Sequence, residues 1–230
     1  MKEQIHTMIA INKVSKSFGD QVVLNEIDLH FEEGKIYGII GRNGSGKTVL
    51  LKCICGLLTP TKGNVIIDGK VVGKDMDYPD NIGFIIENPS FLKHYSGFKN
   101  LKYLASIRRR ITDEDIINSM KIVGIDPYDK KKVGKYSLGM RQRLGIAQAI
   151  MEKPDILILD EPMNSLDNNG VEDIRKLLLE LRDQGKLIII ASHVKEDIDV
   201  LCDEVYGICE GKCSLTARKD SEDMQTYMVV

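Results

Sequence analysis

Long apolar runs are missing from this 230-residue chain. No stretch approaches the ~20 residues a helix needs to cross a bilayer, and the N-terminus lacks the apolar core of a secretion signal. The sequence therefore predicts a soluble protein, with any membrane role reached through a partner. Paired cysteines are missing too. Cys53, Cys55, Cys202, Cys209 and Cys213 form an odd set without metal-ligand spacing, which predicts a reducing compartment, thiols used as small packing residues, and no zinc. A charge excess of one sign is also absent, because 32 Lys and Arg face 34 Asp and Glu. No global field would draw the chain to nucleic acid or anionic lipid. The short basic runs Arg108 to Arg110 and Lys130 to Lys132 are predicted to lie on solvated faces, without a function. Internal repeats, low-complexity tracts and heptad arrays are likewise absent. Lys219 to Val230 carry little pattern and are expected to fray or to dock on a partner.

What is present has the composition of an ordinary folded domain, 43% hydrophobic and 29% charged. Ile27, Leu29 and Phe31 alternate with polar residues as a half-buried strand does, and Lys35 to Ile40 form an apolar run that reads as a buried strand. Val49, Leu50, Leu51 and Ile54 then suit a helix, ended by Gly56 and Pro60. Asp68-Gly69 between Val65–Ile67 and Val71–Val72 predicts a tight hairpin. Ile82 to Ile86 read as another strand, and from about Ser96 to Met151 the period becomes helical. There Thr112 with Asp115 predicts a capping box, and Gly124 a helix stop. Ile156 to Leu159 and Leu187 to Ile190 return as strands around a helix carrying Val171, Ile174, Leu177, Leu178 and Leu181, with Gly185 after it. That order implies a parallel sheet.

Between the strand ending at Ile40 and the following helix lies Gly41-Arg42-Asn43-Gly44-Ser45-Gly46-Lys47-Thr48, a match to G-x-x-x-x-G-K-[ST]. Glycines let backbone N–H groups turn inward around phosphate oxygens, where side chains would obstruct. Lys47 offers a point charge to the outer phosphates and Thr48 a hydroxyl to Mg²⁺. The helix opening at Val49 directs its positive end at the anion. Asp160 and Glu161 end the apolar run Ile156 to Leu159, at the edge where open α/β sheets bind ligands. Asp160 is predicted to hold Mg²⁺ through its shell, and Glu161 to polarise an attacking water as general base.

Tyr136-Ser137-Leu138-Gly139-Met140-Arg141-Gln142-Arg143, shortly before that acidic strand, resembles the signature of the ATP-binding cassette family. Pro162-Met163-Asn164-Ser165-Leu166-Asp167 is similar to the family's D-loop, and Ala191-Ser192-His193 to its switch histidine. The resemblance covers nearly the whole chain. It implies an α/β P-loop NTPase core of residues 1–87 and 152–230, with a parallel sheet and an antiparallel β subdomain, and an inserted α-helical subdomain of residues 88–151. It implies ATP and Mg²⁺ as ligands, and two copies paired head to tail. In that pair Ser137 and Gly139 of one chain close on the ATP held by Lys47 of the other. Taken alone, Ser137 and Gly139 read as a helix cap and a turn. His193 would donate to the terminal phosphate, although a lone histidine is often structural. Phe18 aligns with the aromatic that stacks on adenine, against the alternative of a core aromatic. Asp167 would order the pair interface.

The sequence departs from the family at three positions. Glu87 stands where Gln is usual, and as a possible Mg²⁺ ligand it would add negative charge beside Asp160 and Glu161, raising a neighbouring pKa or demanding the metal. Leu138 replaces a usual glycine, and Met140 a usual Gln. These departures, with Glu87-Asn88-Pro89-Ser90-Phe91, resemble the cassettes of bacterial lantibiotic and bacitracin exporters. The resemblance thus implies an ATPase subunit, cytoplasmic and peripheral on the inner face of the membrane, driving a separate transmembrane permease that exports antimicrobial peptides or drugs. Two rivals are an ATPase acting on nucleic acid or ribosomes, which charge opposes, and an ATP-dependent switch with little turnover, which Glu161 opposes.

Overall fold

The structure is a computed structural model that describes residues 7–219. All but the first residue of the weakly patterned segment Lys219 to Val230 lies outside them. Two long strands open the chain, β1 (Thr7–Phe18) and β2 (Gln21–Glu32), paired antiparallel. β3 (Ile36–Ile40), buried at every position, feeds the glycine loop and α1 (Lys47–Ile54). β4 (Lys62–Ile67) and β5 (Lys70–Val71) form the hairpin expected at Asp68-Gly69. Both turn residues have left-handed φ, 49° and 76°, as a two-residue hairpin requires. β1, β2, β4 and β5 build a four-stranded antiparallel sheet in the order β2-β1-β4-β5.

After β6 (Ile82–Ile85) the chain turns helical, with α2 (Gly97–Arg108), α3 (Asp113–Ile122) and α4 (Leu138–Ile150). The capping box of α3 forms as its sequence predicts, with Thr112 accepting from the Asp115 amide and Asp115 accepting from the Thr112 amide. The strands then resume as β7 (Ile156–Asp160), α5 (Asn168–Asp183), β8 (Leu187–Ala191), α6 (Lys195–Leu201), β9 (Glu204–Cys209) and β10 (Lys212–Arg218). A second sheet has the order β10-β9-β3-β8-β7-β6. Its pairs are parallel except for the antiparallel edge strand β10.

This parallel sheet is the middle of three layers, and the pleat sorts its residues between two cores. Ile36, Ile40, Leu157, Leu159, Ile188 and Ile190 pack toward the helices, against Leu144 and Ile146 of α4 and Ile174 and Leu178 of α5. Their alternates Tyr37, Ile39, Ile156, Ile158, Leu187 and Ile189 pack toward α1 and the antiparallel sheet, against Leu50, Ile9 and Phe31 among others. The inserted helices share the first core, since Leu101, Met120 and Ile150 belong to it.

Two expectations about charged and thiol groups meet different outcomes. Arg108 to Arg110 are exposed as expected, but Arg108 is also engaged, its Nη1 donating to the Asp80 carbonyl at 2.9 Å and to Glu152 at 3.1 Å. Arg110 joins Asp80 at 3.3 Å. The basic run thus ties the end of α2 to the loop before β6, because Asp80 and Glu152 stand opposite it. The thiols behave as packing residues where they are buried, at Cys53, Cys55 and Cys202. Burial pushes the Cys53 thiol up to about 11, which leaves it protonated and unreactive at neutral pH.

One buried ion pair fastens α6 to α5. Arg175 donates from Nε and Nη2 to Asp197 Oδ1 at 3.0 and 2.7 Å, with the two residues 5% and 2% exposed. Burial works against the guanidinium's charge, but the hydrogen bonds it donates to Glu196 and Asp197 outweigh that and hold its pKa above the ordinary value. Removing one partner strands the other charge away from water. Arg175→Ala is expected to lose roughly 3–5 kcal/mol of stability in urea unfolding, whereas a loss within the spread of surface substitutions would show that water replaces the arginine.

Candidate active site

The ends of three adjacent parallel strands carry the sequence-predicted groups to one edge of the sheet. Ile39 and Asp160 both lie in register with Ala191 of β8. The residues just beyond, Gly41, Glu161 and Ser192, therefore emerge side by side, as ligand-binding residues do in open α/β sheets.

The loop from Gly41 to Thr48 has the local geometry of an anion cradle. A side chain at Gly41 would meet the Ile208 carbonyl at 2.5 Å, so only glycine lets the loop leave β3 against β9. Gly46 caps α1 with φ 108° and no side-chain bond. The first intrahelical bond runs from the Leu50 amide to the Gly46 carbonyl, and the amides of Lys47, Thr48 and Val49 ahead of it point out of the helix end. Lys47 is only 7% exposed, and its ammonium donates to the carbonyls of Gly41 at 2.6 Å and Arg42 at 3.2 Å. Among the described residues no carboxylate pairs with that charge. Ser45 Oγ is buried without a hydrogen-bond partner. A buried cation, an orphaned hydroxyl and free helix amides together fit a phosphate chain. Asn43 and Gly44 complete the loop at the rim of a 790 Å³ cleft that Gln21 to Val23 close from the side of β2.

Thr48 Oγ1 donates to Asp160 Oδ2 at 2.8 Å, joining the first turn of α1 to the end of β7. Hard oxygens of this kind suit Mg²⁺. Among the described residues no group of three or more His, Cys, Asp or Glu converges as a metal cage. Thr48 and Asp160 thus fit an ion that takes its other ligands from phosphate and water. Glu161 follows with φ 51°, a left-handed conformation unusual for a side-chain-bearing residue. Its Oε1 meets His193 Nδ1 at 2.8 Å. With the carboxylate ionised, Nδ1 is the donor, and Nε2 is the nitrogen left to face a ligand. His193 is therefore held by the acid predicted as general base. Its side chain is 56% exposed, which agrees with a site role rather than a core one.

The signature residues stand elsewhere. Ser137 is the N-cap of α4 and accepts from the Met140 amide at 3.1 Å, which bears out its reading as a helix cap. Gly139 has a local reason to be glycine: a Cβ there would lie 2.7 Å from the Ser165 carbonyl. Leu138 is 62% exposed. These residues border a second cleft with Ser165, Leu166 and Asp167. Asp167 caps α5, accepting from the Gly170 amide at 3.0 Å.

Phe18 is not a core aromatic. It is 49% exposed at the end of β1, with Lys16 Nζ 5.2 Å from its ring centroid. Glu87 departs from its expected surroundings. Its Oε1 pairs with Lys52 Nζ at 2.6 Å, so a cation on α1 answers the charge that was expected to press on Asp160 and Glu161. The sequence reading missed Lys52, because nothing in its spacing points to Glu87, 35 residues away. It also passed over Gln142, whose amide nitrogen reaches the carbonyls of Glu161 at 3.3 Å and Pro162 at 3.0 Å.

Comparison with known proteins gives this arrangement a family. The profile of the ABC transporter family matches residues 24–164. YybJ, an ABC transporter ATP-binding protein of Bacillus subtilis strain 168, is 48% identical over 205 residues, covering 89% of this chain and 94% of YybJ. The bacitracin transport ATP-binding protein BcrA of Enterococcus faecalis is 40% identical, over 89% of this chain and 67% of BcrA. The lantibiotic transport ATP-binding protein SrtF of Streptococcus pyogenes is 35% identical, over 94% of this chain and 93% of SrtF. Among solved structures, the dimeric ABC transporter cassette MJ0796 shares the fold at a TM-score of 0.84 and 23% identity, over 93% of this chain and 100% of that chain. With its phosphate loop, its acidic strand end and a profile match across both, the chain belongs to the ABC transporter family and is an ATP-hydrolysing cassette within it.

Proposed function

We propose that two copies of this chain pair head to tail, and that the pair drives a separate transmembrane permease exporting antimicrobial peptides. The observation that carries the pairing is the division of the site. The cleft at the phosphate loop and the cleft at the signature have no lining residue in common. Ser137 and Gly139 of a chain do not border its own loop, and a second copy can bring them there. The exposed Leu138 beside them gains an apolar covering in the process.

Within each composite site the residues divide the work. The loop amides from Gly41 to Val49 and the Lys47 ammonium hold phosphate oxygens, with Lys47 exchanging two loop carbonyls for the anion. Phe18 offers its exposed ring to adenine. Thr48 and Asp160 hold Mg²⁺, which when bound offsets charge on the phosphates. Glu87 joins them only by leaving Lys52. Glu161 takes a proton from the attacking water, and His193 with both ring nitrogens protonated donates Nδ1–H to Glu161 and Nε2–H toward the terminal phosphate. Ser137 and Gly139 of the second copy present the amides that open α4.

No helix among the described residues is long and apolar enough to cross a membrane, so export requires a permease, and the cassette would sit on its cytoplasmic face. The likeness to BcrA and SrtF supports peptide export, as does the glutamate at position 87. A net charge of −2 gives no support to a nucleic-acid partner.

Three outcomes are expected. Glu161→Gln retains ATP binding, loses 10²–10⁴-fold in turnover, and forms an ATP-dependent dimer visible by size-exclusion chromatography; wild-type turnover would remove Glu161 as the base. Asp160→Asn raises the Mg²⁺ concentration needed for half-maximal turnover at least tenfold, and EDTA abolishes turnover in the wild type. Finally, bacteria whose only copy carries Glu161→Gln become more sensitive to bacitracin or to a lantibiotic in growth-inhibition assays. Unchanged sensitivity to both classes would sink the peptide-export reading and leave the ATPase intact.

A further inference from the structure

We infer that Gln142 is a positioning residue that couples the signature helix of a chain to the general base of the same chain. The inference rests on the head-to-tail pairing proposed above. It gives that pairing a consequence: what Ser137 and Gly139 sense at one nucleotide reaches Glu161 at the other.

Gln142 lies one turn inside α4 and is 7% exposed, and its side-chain amide faces the segment after β7. It donates to the carbonyls of Glu161 and Pro162 at 3.3 and 3.0 Å. The Glu161 peptide is held on its other sides as well, since its carbonyl accepts from the Asn164 amide at 3.2 Å and its amide donates to Ala191 at 2.8 Å. These bonds matter because Glu161 is left-handed, with φ 51°. A non-glycine residue keeps such a conformation only where its surroundings impose it. The side chain that this backbone aims is the one on His193 Nδ1 at 2.8 Å.

A second contact fixes the same two segments to each other. Gly139 lies so close to Ser165 that a Cβ would meet the Ser165 carbonyl at 2.7 Å. α4 therefore touches the segment after β7 near its beginning, through Gln142, and near its end, through Gly139. A shift of the α4 N-terminus on meeting a nucleotide has no slack to absorb it before it reaches the Glu161 peptide. Gln142 does not approach the reacting groups itself and acts only through that peptide.

The test separates positioning from mere support of the fold. Gln142→Met keeps the shape but removes the donor. It is expected to lower turnover at least tenfold per nucleotide-binding site while the KM for ATP stays within twofold. Gln142→Glu sets a carboxylate against two carbonyl oxygens and is expected to lose more. Coupling is read by combining Gln142→Met with Ser137→Ala. If Gln142 carries the signature's effect, the double variant turns over no more slowly than the slower single variant. Losses that multiply would overturn the coupling, and so would wild-type turnover in Gln142→Met or a loss that merely follows the fraction of protein able to bind ATP. The pairing itself is judged separately, by whether Glu161→Gln alone dimerises on ATP. If it does not, the pairing fails whatever Gln142→Met does to turnover.

Discussion

Parallel hydrogen bonding between β3, β8 and β7 is the constraint on which the rest of the molecule depends. Register places Ile39 and Asp160 on either side of Ala191, so the phosphate loop, the acidic pair and His193 leave the sheet at one edge. A slip of one residue in β7 would exchange its two faces. Leu157 and Leu159 would turn toward the antiparallel sheet, Ile156 and Ile158 toward the helices, and Asp160 would leave Thr48. The two cores on opposite faces of the sheet therefore do more than stabilise the fold. They lock the register, and the register assembles the site.

Around that edge the chain keeps groups in states that an isolated domain would avoid. Among the described residues Lys47 is buried against carbonyls with no acid opposite it, and Ser45 Oγ has no partner. Glu161 and Glu87, which follow the adjacent strands β7 and β6, are both left-handed, with φ 51° and 60°. Each such residue costs on the order of 1–3 kcal/mol, and each is held by something specific. Gln142, Asn164 and Ala191 grip the Glu161 peptide, and Lys52 grips the Glu87 carboxylate. Left-handed side-chain-bearing residues occur elsewhere too, as at Lys13 and Glu26, but the buried strands β3, β7 and β8 behind the site contain none.

This explains what the sequence discloses and what it conceals. The buried strands at Ile36–Ile40, Ile156–Asp160 and Leu187–Ala191 announce themselves as apolar runs, and the hairpin at Asp68-Gly69 and the cap at Thr112 rest on chemistry local to a few residues. Most of the length of β1 and β2 is hidden, because register shifts at Val14 and Lys16 interrupt the alternation that would reveal them. β9 and β10 are too mixed in polarity to stand out, and α6 is only seven residues long and has no side-chain cap. In the site, Gly41 to Thr48, Asp160 and Glu161 are legible because contiguous residues perform one task. Gln142 and Lys52 are not, since each meets its partner through tertiary packing and has an ordinary polar identity on an ordinary helix.

The glutamate at position 87 shows how such a hidden partner changes the meaning of a visible one. Read alone, a third carboxylate near Asp160 and Glu161 implies repulsion that only a metal could relieve. On the fold, α1 meets two strand ends with a single face. Thr48 and Lys52 are four residues apart and so project from the same side of the helix, about 6 Å apart along its axis. Thr48 meets Asp160 at the end of β7, and Lys52 meets Glu87 just past the end of β6, strands that are hydrogen-bonded neighbours roughly 4.8 Å apart. The helix repeat thus nearly matches the strand spacing, and a lysine one turn beyond the threonine falls opposite the glutamate without any distortion of α1. An amide at position 87 would leave that lysine uncompensated, and an apolar residue at position 52 would leave the glutamate so. With the Glu87 side chain 63% exposed, the pair adds little stability and matters for position: it ties the loop after β6 to the helix that carries the phosphate loop.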